Sequence, residues 1–427
     1  MQAEQLLELA LRKGVEAAEV LQSQSISSPV LFESNRLKQL ETIESEVTAL
    51  RIWFQGRPGL AVAHGDVNSH DLIDRALALS TLNEPEYIEL GGSTPICYPD
   101  LGQSVGVDKL IDWGKAAIHH IREIYPEVIC AADWECETEI IHLLNSHGLD
   151  ASYRDTTLSC SLAAEWVRGD DFLCVSDGIT QRNTLNPFFL AQQVIQRLNW
   201  AQENTVTPMG RMPVLFTGKA ADLVWGTVQA ALNGKQVLEG SSPWSGRIGS
   251  LVVSDSITLY QEPDRGPFSC PFDDEGTPTR AINFIEKGIL QLFYTDRVTG
   301  RRLGDGTTGN GFRPSLSSYP TPGLFNVLIV PGERSLEGLI TSMGKGLIVD
   351  QILGGGAGIS GDFSVNVDLG YGVEQGMIVG RVKDTMVSGN VYVALKNLIE
   401  IGADVDWNGN CYTPSLVVEG LSITGKS

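Results

Sequence analysis

After residue 147 the chain contains no histidine; all six lie earlier, at His64, His70, His119, His120, His142 and His147. Ser-His and Cys-His catalytic pairs are therefore excluded from the remainder, as are histidine metal sites, unless the first part reaches across to supply a ring. The early histidines do not pattern as ligands: His119 and His120 point about 100° apart on a helix, and His142 and His147 diverge at a five-residue spacing. No G-x-S-x-G nucleophile elbow occurs. Basic residues are scarce, with 31 Lys and Arg against 52 Asp and Glu and a formal net charge of −21. That sign repels phosphates, so direct nucleic-acid binding is not expected. There is no apolar run of the roughly 18–20 residues needed to cross a bilayer, and no membrane partner is expected. The seven cysteines (Cys97, Cys130, Cys136, Cys160, Cys174, Cys270 and Cys411) are odd in number, scattered and free of C-x-x-C. They read as reduced thiols. The opening MQAEQLLELALRKG reads as an amphipathic helix and not a signal peptide, which makes a cytoplasmic location the expectation.

What is present is material for two or three domains: 427 residues, 42% of them hydrophobic. The stretch GKAADLVWGTVQAALNG (218–234) predicts a central helix that is apolar nearly all round, hence buried, with Gly234 as a C′ glycine. Before it, Leu6, Leu7, Ala10 and Leu11 form one helical face. SHDLIDRALAL (69–79), the segment 107–124 and FFLAQQVIQRLNWAQ (188–202) predict further helices. TALRIWF (48–54) and GLAVA (59–63) flank QGRP and predict a hairpin with a loop of about four residues. Strand-like runs fill 126–180. NTVTPMGRMP (204–213) has no periodicity and marks the boundary. Beyond it, AINFIEKGILQLFYTDR (281–297) reads as strand, turn, strand. In FSVNVDLGYGVEQGMIVGRV (363–382), Phe363, Val365, Val367 and Leu369 alternate. DTMVSGNVYVALKNLIEIG (384–402) predicts a helix near 390–400. The expected fold is α+β with two domains. An N-terminal α/β domain spans 1–205, and a β-rich domain spans 211–427, wrapped around the central helix.

Several motifs match on paper. Gly356, Gly358 and Gly361 satisfy G-x-G-x-x-G, but a strand pattern follows where dinucleotide binding needs a helix. A tight turn that uses glycine's freedom at φ > 0 is the simpler reading, and close backbone approach to a bound peptide is the other. Gly354, Gly355, Gly356 and Ser360 are thus candidates for a peptide-binding or structural turn. GLSITGKS (420–427) matches a Walker A pattern with no helix after it, and reads as a final strand (416–424) with a turn. PFDDEGTPTR (271–280) sets Asp273, Asp274 and Glu275 before Gly276. Such carboxylates could hold a hard cation or move protons; the alternative is a turn whose Asp side chains bond local N–H groups.

PFDDEGTPTR, RAINFIEKGILQLFYTDR, TTGN (307–310), GGGAGISGDFSVNVDLGYGVEQG (354–376) and SLVVEGLSI (415–423) occur in this order. In that order they resemble the TldD/PmbA family, whose name refers to modulation of DNA gyrase. In the TldD sister the central helix carries His-Glu-x-x-x-His, a metal-dependent protease motif. The resemblance places Trp225, Gly226 and Ala230 at those His, Glu and His positions, so this chain looks like the PmbA/TldE-type subunit. It implies no catalytic residue and no metal in this chain, and zinc in a TldD-like partner. Cys411 lies too close to Pro414 to match that partner's cysteine ligand. The implied function is a non-catalytic subunit of a cytoplasmic protease acting on unfolded peptides or small proteins. It would pair with a TldD-like subunit as a heterodimer, or with itself. Two other readings stay open: a homodimeric peptide- or ligand-binding scaffold, and a hydrolase using Asp273, Asp274 and Glu275 with a metal. A five-residue His spacing needs a helix distortion to reach one ion. Trp225 and Ala230 impose none, so a regular helix is expected.

Overall fold

The computed structural model describes residues 3–92 and 96–425. The first half runs α1 (Ala3–Arg12), β1 (Ala17–Ser27), β2 (Val30–Glu33), β3 (Arg36–Leu40), β4 (Ile43–Phe54), β5 (Arg57–His64), α2 (Ser69–Ser80), β6 (Ile96–Cys97), α3 (Val107–Ile124), β7 (Ile129–Asn145), β8 (Asp150–Arg168), β9 (Asp171–Gln181) and α4 (Pro187–Trp200). Its spine is the long β7–β8 hairpin, antiparallel from Ile129↔Glu165 to Leu144↔Asp150. β1 and β2 share the free edge of β7, and β9 lies on β8. Among the described residues the sole parallel pairing of named strands in this sheet is β6 with β8, extended by a parallel bridge from Leu101 to Asp155. The half is therefore built on antiparallel hairpins, not on the βαβ units that an α/β reading implies.

Period-two burial on β7 decides where the helices go. Cys130, Trp134 and Leu144 project to one face, where Cys130 and Trp134 pack with α3 and α4 and Leu144 with α1 and α2. Leu143 projects to the other face and meets Leu21, Leu149 and Phe272.

The second half runs β10 (Gly210–Phe216), α5 (Asp222–Leu232), α6 (Gly234–Leu238), β11 (Leu259–Gln261), β12 (Ile282–Glu286), β13 (Ile289–Leu290), α7 (Arg297–Leu303), β14 (Gly311–Phe312), β15 (Thr321–Pro322), β16 (Val327–Ile329), α8 (Leu336–Met343), β17 (Gly346–Leu353), β18 (Asp362–Glu374), β19 (Met377–Arg381), β20 (Thr385–Asn390), α9 (Val391–Lys396), β21 (Leu398–Asn408) and β22 (Cys411–Gly425). The pairings β10–β17, β17–β18, β18–β20, β20–β22 and β22–β10 close a five-stranded barrel. Closure leaves these strands without free edges at the ring. Val214, Phe216, Leu347 and Val349 pack toward α5. Leu215 and Ile348, on the opposite face, join Val194 and Leu198 of α4. The two halves thus share two hydrophobic clusters, this one and the one around Leu143 and Phe272.

Several local expectations change. The QGRP hairpin turns on two residues, Gln55 and Gly56, both at positive φ (53° and 72°). The same geometry recurs at Lys287-Gly288 and Gln375-Gly376; it matches the right-handed strand twist, so Arg57 and Pro58 are already in β5. The helix expected near 390–400 ends at Lys396, because residues from Leu398 pair with β22 in β21. The expected turn within 416–424 is a bulge in the continuous strand β22. Pairing with β10 slips between Met212↔Leu421 and Val214↔Val418, and Gly420 there adopts φ 86°. Gly234 follows Asn233, the C-cap of α5, and so holds the C′ position, but without the left-handed φ of a glycine cap. Asn233 also caps the start of α6, and a Cβ on Gly234 would come within 2.9 Å of the Tyr294 carbonyl oxygen.

Candidate functional site

β10 leads directly into the central helix. The Thr217 amide donates to the Val349 carbonyl (3.1 Å), and its own carbonyl accepts from the Ala221 amide (2.9 Å). From Asp222 to Leu232 the helix is α throughout. Trp225 and Ala230 therefore point roughly 140° apart. Trp225 is only 1% exposed and its indole Nε1 donates to the Thr413 hydroxyl at 2.6 Å. Gly226 faces open space, with nothing within 4 Å of an added Cβ, and Ala230 is half-buried. The helix is not apolar all round: Asp222, Gly226 and Ala230 form an outward stripe at i, i+4, i+8. Glycine and alanine carry too little hydrophobic signal to mark a face. Tested as a zinc site, these positions do not fit. None of the three side chains offers the nitrogen, sulfur or oxygen donor that zinc takes, and the two outer ones face apart.

Beside the start of α5 lies a cleft of about 340 Å³ walled by Lys219, Asp222, Leu223, Ile352, Gly355 and Gly356. The glycine run is the loop from β17 to β18. Gly354 (φ 61°) and Gly355 (φ 75°) use the left-handed region. Its far end is tied down: the Tyr392 hydroxyl donates to the Ile359 carbonyl (2.8 Å), and the Asn390 amide to the Ser360 carbonyl (3.0 Å). Thr227 donates to Leu223 O (3.1 Å) and reaches Ala357 O at 3.5 Å, linking loop to helix. A strand follows, as the sequence pattern requires, so no helix N-terminus is offered to a pyrophosphate. Exposed backbone at Gly355 and Gly356, next to Lys219 and Asp222, suits contact with an extended chain. Burial raises the Asp222 carboxyl above the usual range.

The turn at 273–276 lies beyond the opposite end of α5, under α7, so the structure does not bring its carboxylates to the cleft. Asp273 is fully buried. Its Oδ1 accepts from the Glu275 and Thr277 amides (3.1 and 2.8 Å), and its Oδ2 from the Gly311 amide (2.9 Å). Asp274 Oδ2 accepts from the Arg313 amide (2.6 Å), and Glu275 Oε2 from the Arg297 amide at the start of α7 (2.8 Å). Gly276 supplies φ 72°. Burial raises all three carboxyls, and the charge of Asp273 lifts Glu275 further. These groups hold backbone amides, which is the turn reading. Close by, Arg313 pairs with Glu19 at 2.6 Å and Arg51 pairs with the same carboxylate at 3.1 Å, joining the second half of the chain to strands β1 and β4.

The remaining candidates stay apart. His142 pairs with Asp150 at 2.8 Å and His119 with Glu123 at 3.1 Å, both in the first half. Cys411 is buried, and burial pushes its thiol well up. Lys426 and Ser427 of the Walker-like match lie outside the described residues.

Sequence reasoning missed a cluster where α4 meets the barrel. Arg197 Nε donates to Asp350 Oδ2 (2.7 Å) and Nη1 to Asp177 Oδ2 (3.1 Å), and Lys219 pairs with Asp177 on its other oxygen. The signal was legible: a lone Asp inside GLIVDQIL and a lone Arg on the apolar face of α4. A charge in such a run must find a buried partner.

An antiparallel sheet backed by helices, joined to a closed barrel that carries α5 and a glycine loop, is the architecture that defines the class. Residues 209–425 match the PmbA/TldA metallopeptidase C-terminal domain, and the chain belongs to the PmbA/TldD family. It is 28% identical over 295 residues to "Metalloprotease PmbA homolog" of Haemophilus influenzae, and 26% identical over 292 residues to "Metalloprotease PmbA" of Escherichia coli O157:H7. Each match covers 66% of this chain and 62% of the relative, so the matched region spans less than two thirds of those proteins' length. The crystal structure of TldE from Thermococcus kodakarensis shares the fold, with a TM-score of 0.89 at 24% identity and 99% of both chains covered. No helix among the described residues is long and apolar enough to cross a membrane.

Proposed function

We propose that this chain is the non-catalytic, TldE-like subunit of a PmbA/TldD-type metallopeptidase, working beside a TldD-like subunit that carries the zinc. The observation that carries the reading is α5. Where the TldD motif has His, Glu and His, this helix has Trp225 committed to the core, Gly226 bare and Ala230 turned aside. The cleft between α5 and the glycine loop then serves to hold an unfolded peptide through backbone contacts, and the chain stabilises its partner.

The test is peptidase activity on an unfolded protein, with zinc measured in the same samples. The expected result is an inert, zinc-free chain alone and an active mixture with a TldD-like subunit. Activity or stoichiometric zinc in the isolated chain would overturn the reading. An inert mixture without a complex would replace it with a self-paired scaffold.

A further inference from the structure

A second cavity, of about 390 Å³, opens between α4, the start of α8 and the barrel end where β10 and β17 run side by side. Thr217 and Asp350 follow the last register pair of those strands, Phe216↔Val349, and both line it. Asp350 is 0% and Thr217 4% exposed, yet Asp350 Oδ1 and Thr217 Oγ1 have no hydrogen-bond partner among the described residues. A buried polar atom left unpaired costs about 1–3 kcal/mol, and here three such atoms, Asp404 Oδ1 included, belong to side chains that line one open volume.

Charge decides what the volume suits. Its walls carry four carboxylates, from Asp350, Asp404, Asp406 and Glu337, against the two cations Arg197 and Lys219. Arg197 is already paired with Asp350 (2.7 Å) and with a fifth carboxylate, Asp177, behind the wall, and Lys219 is paired with Asp177 as well, which leaves Asp404, Asp406 and Glu337 without a cation from the wall. Ser415 donates to Asp404 Oδ2 (2.5 Å), which leaves Asp404 Oδ1 as its free oxygen. A confined site with this excess of negative charge favours a cation. The cation is not a bare metal ion: among the described residues no three His, Cys, Asp or Glu side chains converge to hold one. Phe189 and Trp200 line the same cavity, and aromatic faces attract organic ammonium groups. The volume is that of a small-ligand pocket.

We propose that this cavity binds an organic ammonium group, with Asp404 and Asp406 as its counter-ions and the unpaired oxygens of Asp350 and Thr217 as hydrogen-bond partners. The group is either a free polyamine or the amino terminus of a short peptide. The site is separate from the cleft beside the glycine loop and does not depend on a TldD-like partner.

The test is isothermal titration calorimetry of the full chain at low ionic strength. The probes are putrescine, spermidine and Ala-Ala-amide, with N-acetyl-Ala-Ala-amide, calcium chloride and glutarate as controls. Saturable binding by at least one ammonium probe is expected, at least tenfold weaker in Asp350→Asn and at least threefold weaker in Asp406→Asn. Polyamine binding identifies a free amine as the ligand, whereas Ala-Ala-amide binding lost on acetylation identifies a peptide terminus. Asp406 is exposed, so its variant keeps the test valid if Asp350→Asn unfolds. No saturable binding by any ammonium probe, equal affinity in a folded Asp406→Asn, or binding of glutarate or calcium alone would overturn the proposal.

Discussion

The indole N–H of Trp225 and the hydroxyl of Thr413 meet at 2.6 Å inside the core, fastening α5 to β22 across 188 residues of sequence. Thr413 Oγ1 also donates to the Pro414 carbonyl at 3.1 Å, so its proton and lone pair are both used. Thr413→Val keeps the shape but strands the buried indole N–H, and should cost about 1–3 kcal/mol. Trp225→Ala opens a cavity and should cost about 3–5 kcal/mol. Urea unfolding followed by fluorescence and circular dichroism gives both values; a neutral Thr413→Val would mean that the hydrogen bond contributes nothing.

The buried turn at 273–276 makes stability depend on pH with a definite sign. The folded state holds Glu275 and Asp273 above their unfolded values, chiefly by burial. Their contribution is present in full below an unfolded pKa of about 4. It is lost as pH rises through the elevated folded values. The urea midpoint should therefore carry a component that falls from mildly acidic toward alkaline pH. Glu275→Gln keeps an acceptor for the Arg297 amide and should flatten that component. A variant with the wild-type pH profile would show that Glu275 does not titrate in this range.

At the junction of the halves, Arg197 neutralises Asp350 and Asp177 together. Arg197→Met leaves Asp350 without its cation and should cost about 3–5 kcal/mol. Adding Asp350→Leu should recover part of that loss, since the stranded charge is then gone. A double-mutant cycle measures the coupling, and strict additivity would contradict a direct pairing.

Thiol chemistry offers an independent check on packing. Cys97 is exposed and Cys174 half-buried, whereas Cys130, Cys136, Cys160, Cys270 and Cys411 are buried. Burial pushes the Cys130 thiol up to about 11 and Cys160 to about 12. A disulfide reagent should modify one thiol quickly under native conditions and the buried five only on unfolding. Rapid loss of several thiols without denaturant would contradict the packed cores described above.

Elements with strong local periodicity were legible in the sequence. The segment 107–124 is helix α3 residue for residue, because Leu110, Ala117, Ile118 and Ile121 mark one buried face. The alternation from Phe363 is β18. The barrel was not legible, since its closure joins β10 to β22, two strands about 200 residues apart whose patterns carry no address for each other. The outward stripe of α5 was hidden because glycine and alanine score the same on either face. Trp225, Gly226 and Ala230 were legible only as a missing motif; that they face different ways follows from the helix. The cavity beside α4 depends on Arg197, Asp350 and Asp404 arriving from three separate elements, which no spacing in the chain reports.

β22 touches β10, β16, β20 and β21, and that has a consequence for biosynthesis. A ribosome delivers β10 first among the barrel strands and β22 last, so β10 must remain without its second neighbour while everything between is made. Until then its backbone amides and carbonyls on that side are open to wrong partners. Assembly of the barrel is thus an event of late synthesis, and a chain arrested before β22 should be one that chaperones hold and proteases clear.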